Sequence, residues 1–412
     1  MQTLIYAVFT TFNFIGYHTV ESVATVKIQE KVLTGTAITI GPFPEMPKER
    51  HQQQMQKALD SAKGTRKYFI FSPGDYTLID PKGITVPTGS TLIMEGARFH
   101  LAPSLQEDGQ AFLLKDVSGI TWKGGTILGQ REQWGPGVNM AGLRILGACQ
   151  DIRISNLTCR NLSSNAVGVF GESDENPIRN IALTQVVGSH CCNGYGDYLS
   201  DHPGPAPGSE RKDQGTVAMY HVDGWLVDGC RFENSHSDGT HFDHSHNGRF
   251  VNCVVSGSKM GGYFLENCEF VVAAGNIFND NGSRGVTIER NSQYCILSNN
   301  IIRSSGREGL WAAEVQGLLV QGNVFRENGR KDDGPRDSEI RLDNSAVYKL
   351  NTDAIRIENN LFYTSPRQTA VLFMGKGMNG RVVLKNNTLT GDAPERVNAS
   401  PGSHLPHNGN SR

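Results

Sequence analysis

Charge is scarce in this chain. Only 19% of the 412 residues are Asp, Glu, Lys or Arg, and the formal net charge is -2. There is accordingly no basic stripe for a phosphate backbone and no polybasic patch for an anionic membrane, which argues against nucleic acid as a partner. Nothing in the sequence reaches the ~18 consecutive apolar residues of a membrane span. The eight cysteines form no CxxC pair and no His/Cys spacing typical of zinc. Several of them, with the adjacent Cys191 and Cys192 in the same count, fall where inward residues fall, so free buried thiols are expected. Amphipathic helices are few. What the chain has in quantity is glycine, 47 residues, together with Asn and Ser, a composition of tight turns.

Near the start, Leu4 to Phe9 followed by Phe12, Phe14 and Ile15 makes an apolar run with no Lys or Arg before it. The run reads either as the core of a degraded signal peptide or as a first strand.

From about Asp151 to Thr390 one phrase keeps returning: a short apolar strand, Asn or Gly, two apolar residues, a polar turn, Gly, and another alternating strand. Its clearest copies centre on Asn276, Asn300, Asn323, Asn360 and Asn387. The stride of roughly 23 residues in the middle of the chain matches one coil of a solenoid. In parallel coils each residue lies ~4.8 Å above its equivalent. A corner Asn can then pass amide hydrogen bonds up a ladder while Ile, Phe and Val stack inward. These features predict an all-β, right-handed parallel β-helix over 49–390, preceded by a segment 1–48 and followed by a disordered tail 391–412. Met55, Ala58, Leu59 and Ala62 lie at helical spacing, which predicts a capping helix between Glu49 and Lys63. A Pro/Gly-rich interruption at 187–215 is expected to form a long loop, one wall of a substrate groove.

Superposing coils at that stride brings Asp243 over Glu266 and Glu289, with Tyr220 one coil earlier and Trp311 one coil later. Strand alternation places Thr240, Phe242, Tyr263, Leu265, Val286 and Ile288 inside, and His241, Asp243, Phe264, Glu266, Thr287 and Glu289 outside. Stacked carboxylates repel one another, so one should hold a raised pKa or the set should bind a cation. Asp238, at the turn before the strand, is a further candidate. Arg290 and Lys259 are the cations placed to neutralise an acidic sugar. Phe264, Trp311 and His244 are candidate substrate contacts, since aromatic faces suit the C–H faces of sugars. The dense set His236, His241, His244 and His246 offers a transition-metal alternative, but alternation turns His244 away from His241 and Asp243, and no metal ligand is assigned. Calcium held by the acid column is kept as an option, without which no cofactor is expected.

The helix followed by Ser72-Pro-Gly-Asp-Tyr76, together with the coil pattern, resembles the pectate-lyase-like β-helix superfamily over residues 50 to 390. That superfamily includes polysaccharide lyases, polygalacturonase-type hydrolases and alginate C5-epimerases. The stretch Thr240-His-Phe-Asp243-His-Ser-His246 is similar to the Tyr-Gly-Φ-Asp-Pro-His motif of the epimerases (Φ apolar), with His244 and Ser245 in place of Pro and His. Chondroitinase-B-like lyases carry Lys and Arg near the positions of Glu266 and Glu289. Polygalacturonases carry an Asp-Asp pair where this chain has Asp238-Gly239.

The resulting expectation is a secreted or periplasmic enzyme that acts on a poly- or oligosaccharide. Glycoside hydrolysis by Asp243 and Glu266, or by Asp243 and Glu289, leads. β-Elimination or C5-epimerisation of a uronic-acid polymer, with Tyr220 or His241 exchanging the proton, is the alternative. A non-catalytic glycan-binding β-helix, whose acids are ordinary surface, is the third reading.

Overall fold

The computed structural model describes residues 37–391 apart from 63, 136, 194–213, 332–336, 345–349, 366–367 and 369, together with 397–399 and 407–408. The early apolar run and most of the expected loop at 187–215 lie outside these residues.

Among the described residues every strand pairing is parallel, and strands join the coil above or below in register. Val217–Asp228 pairs with Thr240–Val251, which pairs with Tyr263–Glu266. Tyr263–Glu266 pairs with Val286–Glu289, then Leu310–Ala313, then Ser338–Asp343. The inward residues of these strands make one continuous core. Phe242, Phe250, Tyr263 and Phe278 are fully buried, and their rings follow one another up the axis, 4.7 Å from Phe250 to Tyr263 and 5.6 Å from Tyr263 to Phe278. Burial of such rings is the main stabilisation, about 25 cal/mol per Å² of apolar area.

The expected asparagine ladder is present. Each side-chain amide donates to the carbonyl oxygen of the next, Asn276 to Asn300 and Asn300 to Asn323 at 2.9 Å, Asn323 to Asn360 and Asn360 to Asn387 at 3.0 Å. Below Asn276 the ladder continues through cysteine: Cys253 N–H donates to the Asn276 carbonyl at 2.8 Å, and Cys230 N–H to the Cys253 sulfur at 3.4 Å. All eight cysteines are free and buried, as their inward positions required.

The capping helix spans His51–Ser61 and buries Met55 and Leu59. Its polar side does structural work as well: the Gln52 carbonyl accepts both Ile79 and Asp80 N–H at 2.8 Å, and Gln56 accepts Thr85 N–H at 2.8 Å. At the other end, the expectation of a disordered tail needs correction. Val397–Ala399 and His407–Asn408 are strands, paired with Ala370–Met374 and Val382–Lys385. The last coil otherwise leaves a row of unpaired N–H and C=O groups, and even an aperiodic segment can satisfy them.

Candidate active site

A glycine precedes each strand of the site because the coils touch there. A Cβ on Gly262 would lie 2.6 Å from the Gly285 carbonyl oxygen, and one on Gly285 would lie 2.8 Å from that of Gly309. A left-handed residue follows each rung of the column, within the long strands at His221 and His244 and just after the short ones at Asn267, Arg290 and Glu314, with φ between 46 and 57°. These two constraints frame the column between them. In register, one coil apart, stand Phe170, Tyr220, Asp243, Glu266, Glu289, Ala313 and Asp343. The expected stacking of Tyr220, Asp243, Glu266 and Glu289 is therefore observed.

The column is not a solvated face. Asp243, Glu266 and Glu289 retain 7, 8 and 5% of their exposure. Each acid has its own compensation. Asp243 accepts the Asn267 amide at 2.9 Å. Glu266 is bonded to the Arg290 guanidinium and lies 3.6 Å from His241 Nε2. Glu289 lies 3.4 Å from Arg290 Nε. Arg290 reaches both acids because its left-handed backbone turns it back over the strand it follows.

Burial raises all three carboxyls, but their neighbours separate them. For Glu266 burial is outweighed by His241 and Arg290, and the net shift is downward. For Glu289 burial prevails over Arg290, with the charge of Glu266 adding to it, and the carboxyl is pushed up to about 7. Asp243 is also raised, by burial more than its Asn267 bond lowers it. His241 is disfavoured as a cation by burial, yet Asp238 and Glu266 on either side lift it to about 9. Arg290 and His241 thus offset part of the repulsion within the column, and one of its carboxyls, Glu289, carries the raised pKa that was one of the two expected outcomes.

Asp238 is buried rather than solvated at its turn. It accepts Gly261 N–H at 2.7 Å and the Gln214 amide at 2.6 Å, and its Oδ2 lies 3.7 Å from His241 Nδ1. Tyr220 packs edge-on against Phe170, and its ring is 5.5 Å from that of His241.

Three expected substrate contacts stand differently from the sequence reading. Phe264 has one face stacked on His241 at 4.5 Å, and Thr287 stands in register with it on the next coil. Trp311 pairs with Thr287, so it belongs to the His241–Phe264 column, and Ala313 occupies the rung above Glu289. The Arg284 guanidinium covers the Trp311 ring at 3.9 Å. Lys259 is exposed at the preceding turn, beside His236, whose pKa falls to about 4 through burial and the nearby Arg131 and Lys259 charges. Among the described residues no ion pair joins Lys259 to the acids. His244 is corrected most clearly. Simple alternation sends it inward, but its left-handed φ of 46° bends the strand and leaves it partly exposed on the side of Asp243, 3.8 Å from Nε2 to Oδ1.

The stride did not reveal Arg341. It stands on the rung above Trp311 with its guanidinium over the Phe373 ring at 5.4 Å, bonds Asp343 at 2.6 Å and approaches the fully buried Glu308, which also pairs with Arg284 at 3.3 Å. A longer coil separates Arg341 from Trp311, so superposition at 23 residues misses it.

The family model described as the right handed beta helix region matches residues 215–389, and the fold of the described residues is a right-handed parallel β-helix. Among solved structures it is similar to the A-module of an Azotobacter vinelandii mannuronan C-5 epimerase, with 15% identity over 86% of this chain and 95% of that one and a TM-score of 0.67. A tailspike mutant of the E. coli bacteriophage HK620, in complex with a pentasaccharide, matches with 14% identity over 88% of this chain and 64% of that one, TM-score 0.58. A surface adhesin of Streptococcus pneumoniae matches with 11% identity over 88% and 93%, TM-score 0.58. No curated protein matches the sequence. At these identities the likeness defines the fold. No helix among the described residues is long and apolar enough to cross a membrane.

Proposed function

We propose that this chain is a carbohydrate-active enzyme, secreted or periplasmic, that cleaves glycosidic bonds of a poly- or oligosaccharide with Glu289 as proton donor and Asp243 as base. The observation that carries this reading is the separation of protonation states within one column: Glu289 is raised to about 7 while its neighbour Glu266 is lowered. Carboxyls driven apart by their surroundings are what acid–base cleavage of an acetal requires. Glu289 would protonate the leaving oxygen. Asp243 would take a proton from the water that attacks the anomeric carbon. Glu266, kept ionised by His241 and Arg290, would oppose the positive charge developing between them. Asp243 and Glu289 are two coils apart, ~9.6 Å along the stack, close to the ~6.5–9.5 Å of inverting pairs. The closer pair Asp243 and Glu266 is less suited, because Arg290 and His241 already engage the Glu266 carboxylate.

Proton exchange at a uronate carbon is the second reading, favoured by the phenol of Tyr220 standing over Asp243 and beside His241. The similarity to an epimerase module adds to it. A screen of neutral and acidic polysaccharides separates the two. New reducing ends without ultraviolet absorbance are expected for hydrolysis, and Asp243→Asn or Glu289→Gln should lower kcat by orders of magnitude with the fold intact. Unsaturated products, or solvent deuterium incorporated at carbon without chain cleavage, would replace hydrolysis with the second reading. Full turnover by both variants on a confirmed substrate would remove the column from the chemistry.

A further inference from the structure

Beside the head of the acid column, on its outer side, three histidines converge on one carboxylate. Asp174 stands in the connection between the strands Val167–Phe170 and Ile178–Thr184. Its Oδ1 is 2.8 Å from His221 Nδ1 and its Oδ2 is 2.9 Å from His244 Nδ1. The two imidazoles are equivalent residues of successive coils, both left-handed, with ring centroids 4.8 Å apart. One ligand atom from each of Asp174, His221 and His244 lies within 4.8 Å of the other two.

We propose that Asp174, His221 and His244 form a binding site for a divalent transition-metal ion, independent of the reaction assigned to the acid column. Two imidazole nitrogens and one carboxylate oxygen select borderline ions such as Zn²⁺ over Mg²⁺ or Ca²⁺, which prefer all-oxygen sets. Small side-chain rotations bring all three atoms to the ~2.0–2.2 Å bonds that zinc makes with nitrogen and oxygen. Three protein ligands leave a coordination position open, and the partial exposure of the three side chains gives an ion a route in.

The same geometry serves a hydrogen-bonded cluster and an ion alike, since each imidazole Nδ1 meets its own oxygen of Asp174. Ligation through Nδ1 requires the ring proton on Nε2. In His244 that nitrogen lies 3.8 Å from Asp243 Oδ1, beyond direct hydrogen-bond distance but on the side of a carboxylate that favours this tautomer. His246 completes the arrangement without ligating. Its Nδ1 accepts the Glu269 N–H at 3.1 Å, which puts its proton on Nε2, and that nitrogen points to Asp174 Oδ1 at 3.8 Å. At that separation its proton is turned to the carboxylate without a direct hydrogen bond, and it would position the carboxylate only once an ion draws the two together. An ion bound here would also fasten the connection carrying Asp174 to the two coils that follow it.

The test uses the full chain without an affinity tag, titrated with Zn²⁺ against a chromophoric chelator and separately with Co²⁺ by visible absorption. One ion per chain is expected, with Co²⁺ bands stronger than those of the hexa-aqua ion. Asp174→Ala and His221→Ala should each weaken Zn²⁺ binding by about 100-fold or more, and His246→Phe by about 10-fold with the Co²⁺ spectrum kept. Nitrogen-15 imidazole spectra of the unmodified protein, which need no variant to fold, should show Zn²⁺ moving the His221 and His244 Nδ1 signals and leaving His51 in place. Absence of saturable binding, unchanged affinity in both alanine variants, or Zn²⁺ shifts confined to other histidines would each overturn the site.

Discussion

Glu266 and Glu289 occupy successive rungs of the same column and share one cation, Arg290, yet their carboxyls shift in opposite directions. The difference lies in His241, which lies against Glu266 and lowers it further, whereas Glu289 meets mainly burial and the negative charge of its neighbour.

Glu289 should therefore govern the alkaline side of activity. Its carboxyl rises from 4.5 to about 7, so a rate that needs it protonated falls as pH passes about 7. The same shift has a stability consequence. A carboxyl with a raised folded pKa contributes stability that is present below its unfolded value and lost as pH rises through about 7, here up to about 3 kcal/mol. Glu289→Gln should remove activity and, above pH 7, unfold at higher denaturant concentration than the parent. A denaturation series from pH 4 to 9 checks this; equal midpoints at every pH would contradict it.

Loss of Arg290 should move that alkaline limb. The guanidinium lowers Glu289, so Arg290→Met leaves the acid protonated to higher pH. The descending limb of kcat/KM is expected to shift upward, while the rate at its maximum drops because Glu266 loses its charge partner. An unshifted limb would mean that another group controls it.

His241 should titrate far above an ordinary histidine. Raised from 6.5 to about 9 by Asp238 and Glu266, it contributes stability fully present below pH 6.5 and lost as pH rises through about 9. His241→Gln should reduce the pH dependence of stability between those values, leaving the contribution of Glu289 near pH 7. Imidazole proton resonances followed from pH 5 to 10 give the value directly.

How far the sequence revealed this site follows from its spacing. Where coils keep a stride of 23, from Tyr220 to Glu289, the rungs could be counted off, and Asp243, Glu266 and Glu289 fell in line. Where the stride lengthens, Arg341, on the rung above Trp311 and near Glu308, was hidden. The facing of His244 was hidden for another reason. Strict alternation assumes an extended backbone, and a left-handed residue after each rung of the column breaks it, with histidine after Tyr220 and Asp243 where Asn or Gly would have signalled a turn. Asp174 lies outside the repeated phrase, so only folding brings it to His221 and His244. The Asn ladder, by contrast, is a direct reading of repeated sequence.

That ladder should be costly to interrupt. Asn323 accepts Asn300 N–H and the Asn300 amide, and its own amide donates to the Leu297 and Asn360 carbonyls. Asn323→Ala leaves several buried groups unsatisfied and should lower stability by about 2–4 kcal/mol. Asn323→Asp should not rescue it, since it lacks the donor. Midpoints of chemical denaturation decide; a loss within error of an exposed Asn→Ala control would show that the spine is dispensable.

The rungs of the ladder join residues 24, 23, 37 and 27 positions apart at nearly constant bond length. Coil height is set at the spine, and the length of chain spent at the other corners is free to vary. The fold thus separates two kinds of inheritance: a change at the spine acts on the coils above and below it, whereas segments added at the outer corners can reshape the surface beside the acid column while its rungs keep their vertical order.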